Sequence, residues 1–204
     1  MPVPSDYHHG DLRRALLDQG AAVLAERGVG ALSLRDLARR VGVSATAPYH
    51  HFKGKAELVQ ALADDALAAL DAALDAADAA AEAQGGGAGA RLSAQGVAYV
   101  LFAVDHPERF RLAFRPEMGD PFAGMAETGT LPDDTVGFRH LVRVVRDLVP
   151  GPERQMTTAI GAWSAAHGLA ALLVDGPLRA LAANRDRVRQ LAEEVLYAPT
   201  PPDA

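Results

Sequence analysis

Apolar residues recur along this chain at helical spacing, and sustained alternation of the kind a half-buried strand needs is absent. Leu12, Leu16, Gln19 and Val23 lie on one face of a first predicted helix, which Gly28 stops. Ser33 is placed as N-cap of a second, with Asp36 three residues on to complete a capping box, and Leu34, Leu37, Ala38 and Val41 follow at i, i+3, i+4 and i+7. Gly42 ends it, and Ser44 is placed to cap a third, very short helix running to about Phe52. From Lys55 an Ala-rich segment carries Leu58, Leu62, Ala66, Leu70 and Leu74 on one side. Asp64, Asp65, Asp71, Asp75 and Asp78 fall on or beside the other. Alanine is the best helix former, so this reads as a stiff rod about 40 Å long, broken at Gly85-Gly86-Gly87. Further helices are expected at about Ala90–Asp105, Pro107–Phe114, Phe138–Leu148, Pro152–Val174 and Asn184–Tyr197. Between them, Arg115 to Leu131 reads as a loop with apolar anchors, among them Met118, Phe122 and Met125. The expected fold is all-α: three short helices, a long connecting helix and a helical bundle.

The 204 residues, 49% hydrophobic, are those of a globular protein, and no apolar run approaches the ~20 residues of a membrane span. The N-terminus lacks a basic segment followed by an apolar one, and there is no cysteine, so the cytoplasm is the expected compartment and no membrane partner is implied. The net charge of −6 is unevenly spread. Residues 1–60 carry eight Lys/Arg against six acids, and the remainder twelve Arg against twenty acids. A mildly basic head on an acidic body suits a protein whose head alone touches phosphate. His106, His140 and His167 offer acid–base groups, but no nucleophile elbow or phosphate loop accompanies them. The histidines are too scattered for a metal site. No catalytic residue, metal or cofactor is expected.

Gly42-Val43-Ser44 joins helices two and three. A glycine there permits the left-handed backbone that ends one helix, Val43 plugs the space between the two, and Ser44 begins the next. Such a turn is that of a helix-turn-helix, whose second helix enters a major groove. Residues 33–52 read SLRDLARRVGVSATAPYHHF, followed by KGKAEL. This resembles the DNA-binding segment of the TetR family: a capped helix, Gly-Val-Ser, a short helix ending Tyr-x-His-Phe and a Lys before the next helix. The resemblance covers about Tyr7 to Leu62. Pro48 departs from it, standing where the commoner form has an aliphatic residue, and predicts a slightly distorted recognition helix. AWSAAHG at 162–168 and HPERFRLAF at 106–114 resemble the effector domain of one branch, named for its Trp-x-x-x-His-Gly signature.

The resemblance implies a homodimeric, ligand-responsive repressor. Residues 1–60 would bind a palindromic operator in duplex DNA, residues 61–198 would dimerise and bind a small apolar or mixed-polarity effector, and 199–204 would be a disordered tail. The alternative is a ligand-independent DNA-binding or architectural protein of the same fold. Base edges would fall to Ala45 and Thr46, with His50 and Arg35 as further candidates, and Ala47 is counted with this segment. Ser44, Tyr49, His51 and Lys55 are better placed for phosphate, core packing being the other reading of Tyr49. The His8-His9 pair reads equally as an arm along the duplex or as a non-contacting tail. Trp163 and His167, four apart on one helix face, fit either the wall and polar handle of an effector pocket or a dimer seam. Phe102, Phe110, Phe114, Met118, Phe122 and Phe138 would supply apolar lining.

Overall fold

The computed structural model describes residues 9–115, 117 and 138–196, all helix, turn or coil. The expectations at Met118, Phe122 and Met125, with those at His8 and the tail 199–204, lie outside the described residues. Eight α-helices are present among those described: α1 His9–Arg27, α2 Leu34–Val41, α3 Lys55–Ala83, α4 Ala88–Asp105, α5 Pro107–Ala113, α6 Arg139–Leu148, α7 Pro152–Val174 and α8 Arg185–Leu196. Short 3₁₀ segments occupy Val29–Ala31, Ala47–His50 and Arg179–Ala183. The chain divides into two compact units, residues 1–66 with 108–118, and residues 67–107 with 119–204.

The first unit is built on a core of Leu16, Val23 and Leu24 from α1, Leu34 and Leu37 from α2, Phe52, and Leu58 and Leu62 from α3. Gly28 takes φ 73°, a conformation costly for any side chain, and α1 ends there. Ser33 has the extended backbone of an N-cap but makes no side-chain cap hydrogen bond, so the predicted capping box does not form. Asp36 instead pairs forward with Arg39 and with Arg40, the latter at 3.2 Å. Leu112 of α5 is buried in this same core, and Arg109 reaches Asp65 at 2.7 Å, which fixes α5 to the first half of α3.

In the second unit α4 lies against α6, α7 and α8. Val97, Val100 and Leu101 of α4 meet Leu169 and Leu173 of α7 and Val188 and Ala192 of α8. Val142 and Val145 of α6 close on Ala159 of α7. Helix α7 is, by length and composition, apolar enough to cross a membrane, with a mean hydropathy of 1.3 over its best window. Its Ala166, Leu169, Ala170, Leu173 and Val174 are buried in the bundle, so part of that apolarity is core packing.

The aspartates of α3 do not form one solvated face. Asp71 and Asp78 are buried, at 3% and 1% exposure. Asp78 accepts hydrogen bonds from Arg91 Nη2 (2.8 Å) and Nε (3.0 Å), Gln95 Nε2 (2.8 Å) and Arg143 Nη2 (2.6 Å). Asp71 pairs with Arg139, and the buried His140 ring lies between Asp71 (3.3 Å) and Asp75 (3.5 Å). Burial raises the Asp78 pKa, but the bonds from Arg91 and Gln95, the Arg91 charge and the bond from Arg143 outweigh it and bring the group down to about 2. A carboxylate held below its unfolded value stabilises the fold above about pH 4, and that stability is lost as the pH falls through about 2. Asp78→Asn is therefore expected to cost about 2 kcal/mol at pH 7 in urea unfolding, the deficit shrinking between pH 4 and 2. An equal deficit at pH 7 and pH 2.5 would contradict this.

Candidate nucleic-acid interface and ligand cavity

Helix α2 ends on Gly42, whose φ of 81° lets the Val43 N–H return to the Ala38 carbonyl at 3.0 Å. The chain then turns at once. The Ala47 N–H donates to Ser44 O (3.1 Å), Tyr49 to Thr46 O (3.1 Å) and His51 to Pro48 O (3.0 Å). The segment is therefore a tightened 3₁₀ turn rather than the expected short α-helix. Pro48 explains the difference: it has no N–H to give to Ser44 O, which Ala47 takes instead in the i→i+3 pattern. Pro48 is itself buried, beside Phe52 at 1% exposure, and it anchors the turn to the core.

This anchoring leaves a continuous exposed surface. Arg35, Ser44, Ala45, Thr46, Tyr49 and His50 are all exposed, while Ala47 and His51 are half-buried. Tyr49 is 47% exposed, so about half of its surface faces solvent. The Ser44 and Thr46 hydroxyls lie 3.1 Å apart. Lys55 is exposed but tethered, its Nζ donating to the Gly30 carbonyl at 2.9 Å. Two residues earlier, the Lys53 N–H is held by Glu57 Oε2 at 2.6 Å. The exposed Lys53 ammonium makes no bond among the described residues, and no sequence motif singles it out. The Arg13 guanidinium stacks 5.3 Å from the centre of the Phe52 ring.

The second unit holds a cavity of about 340 Å³, lined by Leu74 of α3, Leu92, Gln95, Gly96 and Tyr99 of α4, Phe138 with Leu141 and Leu148 of α6, Thr158, Gly161, Ala162, Trp163, Ala165 and Ala166 of α7, and Val195 and Leu196 of α8. Phe138 meets Trp163 edge-on at 5.3 Å, and Trp163 lies 5.2 Å from His167. Tyr99 Oη is 2.8 Å from His167 Nδ1. Burial pushes the Tyr99 phenol up, the Trp163 indole opposing part of that rise as a hydrogen-bonding neighbour. Burial pushes the His167 imidazole down. Both groups are therefore neutral near pH 7.

Among the predicted lining residues the structure brings together Phe138 and Trp163 at the cavity, with His167 beside them. Phe102 does not join them; it is edge-on to His106 at 5.1 Å and borders a separate groove. Phe110 and Phe114, 5.1 Å apart, belong to the first unit, because α5 returns to that core. Gln95 and Tyr99 were missed, though two polar residues four apart on one face of an apolar helix are a readable signal.

Residues 16–62 match the family described as bacterial regulatory proteins, tetR family, and residues 92–196 match the tetracyclin repressor-like C-terminal domain. The chain is 44% identical over 50 residues to the HTH-type transcriptional repressor KstR2 of Mycobacterium tuberculosis, covering 24% of this chain and 25% of that protein. It is 38% identical over 63 residues to KstR2 of Rhodococcus jostii, covering 30% and 31%. These matches therefore span about a quarter to a third of the curated relatives. Over nearly the whole chain, a solved structure from Rhodococcus sp. RHA1, of a protein with unknown function, is 33% identical, with 95% and 97% of the two chains covered and a TM-score of 0.69. A tetR-family regulatory protein from Rhodococcus RHA1, 21% identical with a TM-score of 0.56 over 92% and 98% of the chains, shares the fold.

The only tryptophan of the chain lies against a histidine whose pKa is lowered, and this gives a direct readout. The folded His167 pKa lies below the unfolded value of about 6.5, so its neutral form stabilises the fold above that pH and the contribution is lost as pH falls. Trp163 emission is expected to titrate with a midpoint below 6.5, and His167→Gln to remove the transition. A midpoint at or above 6.5 would contradict the burial argument.

Proposed function

The chain belongs to the TetR family of bacterial regulatory proteins, a family of regulators rather than enzymes, and on that premise we propose that it is a cytoplasmic homodimeric repressor. It grips a palindromic operator through the Ser44–His50 turn and releases it when a small apolar or mixed-polarity effector enters the cavity beside Trp163. The observation that carries this reading is the exposure of Ser44, Ala45, Thr46, Tyr49 and His50 on one turn whose Pro48 is buried, next to the buried Phe52. One short turn buries too little to hold DNA tightly, and a two-fold dimer reading two half-sites meets that need. Helix α7 supports self-association: Ile160 and Leu172 are 37% and 43% exposed, with Ser164 and Gly168 exposed between them.

Thr46, with Ala45, is the reader of base edges, and Arg35 and His50 flank it. Ser44, Tyr49, His51 and Lys55 hold phosphate. Lys55 gives one proton to Gly30 O and has two more for a phosphate oxygen. Release follows from the continuity of α3, which supplies Leu74 to the cavity wall and residues 55–66 to the first unit. A ligand that displaces the Leu74 half favours a dimer whose two reading turns are out of register, provided it prefers that form by a few kcal/mol.

Light scattering after size exclusion is expected to give a dimer at micromolar concentration, and a stable monomer there would overturn the reading. Thr46→Ala is expected to leave the melting temperature unchanged while discrimination at one position of each half-site falls by about 1–3 kcal/mol. Lys55→Ala should weaken all operator variants alike and flatten the log–log salt dependence by about 0.9 for each phosphate it no longer neutralises. Weakening confined to particular sequences would show instead that Lys55 reads bases.

A further inference from the structure

We propose that the cavity beside Trp163 takes an uncharged, mainly hydrocarbon ligand carrying one hydrogen-bond donor, a hydroxyl or N–H, which the side-chain carbonyl of Gln95 accepts. The inference rests on the effector reading above and narrows its ligand class. No Lys, Arg, Asp or Glu is among the described residues lining the cavity; Leu, Ala, Phe and Trp make up most of the wall. A charged ligand would surrender its hydration there and find no counter-charge. Asp78, which Gln95 contacts, is already saturated by Arg91 and Arg143 as well as by Gln95. Tyr99 and His167 supply no charge, since burial keeps the phenol protonated and the imidazole neutral.

The polar requirement follows from the bonds Gln95 already makes. Its Nε2 donates to Asp78 Oδ1 at 2.8 Å and points to the His140 carbonyl at 3.5 Å. Both acceptors demand the nitrogen, so the amide cannot flip, and the carbonyl oxygen is the part left to meet a ligand. The described wall also carries the Tyr99 hydroxyl, which is paired with His167, the Thr158 hydroxyl and the Trp163 indole, and the Gln95 oxygen adds an acceptor that selects for a donor, because a ligand without one leaves it unpaired. The volume, about 340 Å³, sits at the small end of the usual range of about 300–1,000 Å³ for ligand cavities.

Three probes of similar shape test this with the intact chain and no DNA, by following Trp163 emission. They are N-phenyl-1-naphthylamine (neutral, with an N–H), 1-phenoxynaphthalene (neutral, with no donor) and 1-anilinonaphthalene-8-sulfonate (anionic). The naphthylamine is expected to saturate at one per chain, at least tenfold tighter than the sulfonate and several-fold tighter than the ether. Gln95→Leu should abolish the preference for naphthylamine over ether. A purely structural role for Gln95 would weaken both alike and overturn the assignment. Gly161→Leu adds a side chain at a lining position where a Cβ meets no atom within 4 Å, and it should block both neutral probes while the helix content is kept. Sulfonate binding as tight as that of the naphthylamine would overturn the neutral class. Equal binding of amine and ether to the unsubstituted chain would overturn the donor, whether or not Gln95→Leu folds. Operator release is read separately: probes that bind as expected yet release no DNA overturn the effector reading and leave the ligand class standing.

Discussion

A carboxylate at 1% exposure cannot stay ionised unless donors replace its water, and the second unit is arranged around meeting that demand at Asp78. Arg91 and Gln95 come from α4, Arg143 from α6 and Asp78 itself from α3, so one side chain ties three helices. Arg91 holds both carboxylate oxygens, and Gln95 and Arg143 add one bond each, so the cluster sets geometry as well as stability. Its consequence for the cavity is direct. The same Gln95 that serves Asp78 lies in the cavity wall, and its orientation there is dictated by the aspartate.

The first unit depends on a different constraint. Ser44–His50 must present polar groups outward while the chain turns sharply enough to place Phe52 in the core. Pro48 does both, forbidding the ordinary helical bond to Ser44 and burying its own ring. The result is a rigid, tightly wound surface in which Ser44, Thr46, Tyr49 and His50 stand exposed. In the proposed reading such a turn loses little conformational freedom on binding, since it is already set by its own backbone bonds.

Helical periodicity made most of the fold legible. Helix α7 spans the predicted Pro152–Val174, and α2 ends at Gly42 as the left-handed glycine requires. What periodicity could not show was which polar residues the tertiary fold would bury. Asp78 stands four residues after Leu74, in line with the leucine stripe, but spacing along α3 does not reveal that it and Asp71 meet arginines from other elements. The capping box at Ser33 does not form, and Asp36 pairs instead with Arg39 and Arg40, partners the capping pattern does not anticipate. Phe110 and Phe114 looked like pocket lining because they follow α4, but Leu112 and Arg109 commit α5 to the other unit. Gln95 and Tyr99, four apart on one face of an apolar helix, are a signal the sequence carries, and the fold places both in the cavity wall. Trp163 and His167 stand out in the sequence because an indole and an imidazole four apart are conspicuous against alanines, and the structure places a cavity against Trp163.

The central claim is that two copies of the Ser44–His50 turn read DNA sequence. Selection of binding sites from a random duplex library by the intact chain tests it most directly. The account predicts an enriched two-fold symmetric consensus, its half-sites spaced about one helical turn or a multiple apart, whose preference at one position of each half-site relaxes in Thr46→Ala. A pool that stays random after repeated rounds, or a consensus without symmetry that Thr46→Ala leaves unchanged, would contradict it.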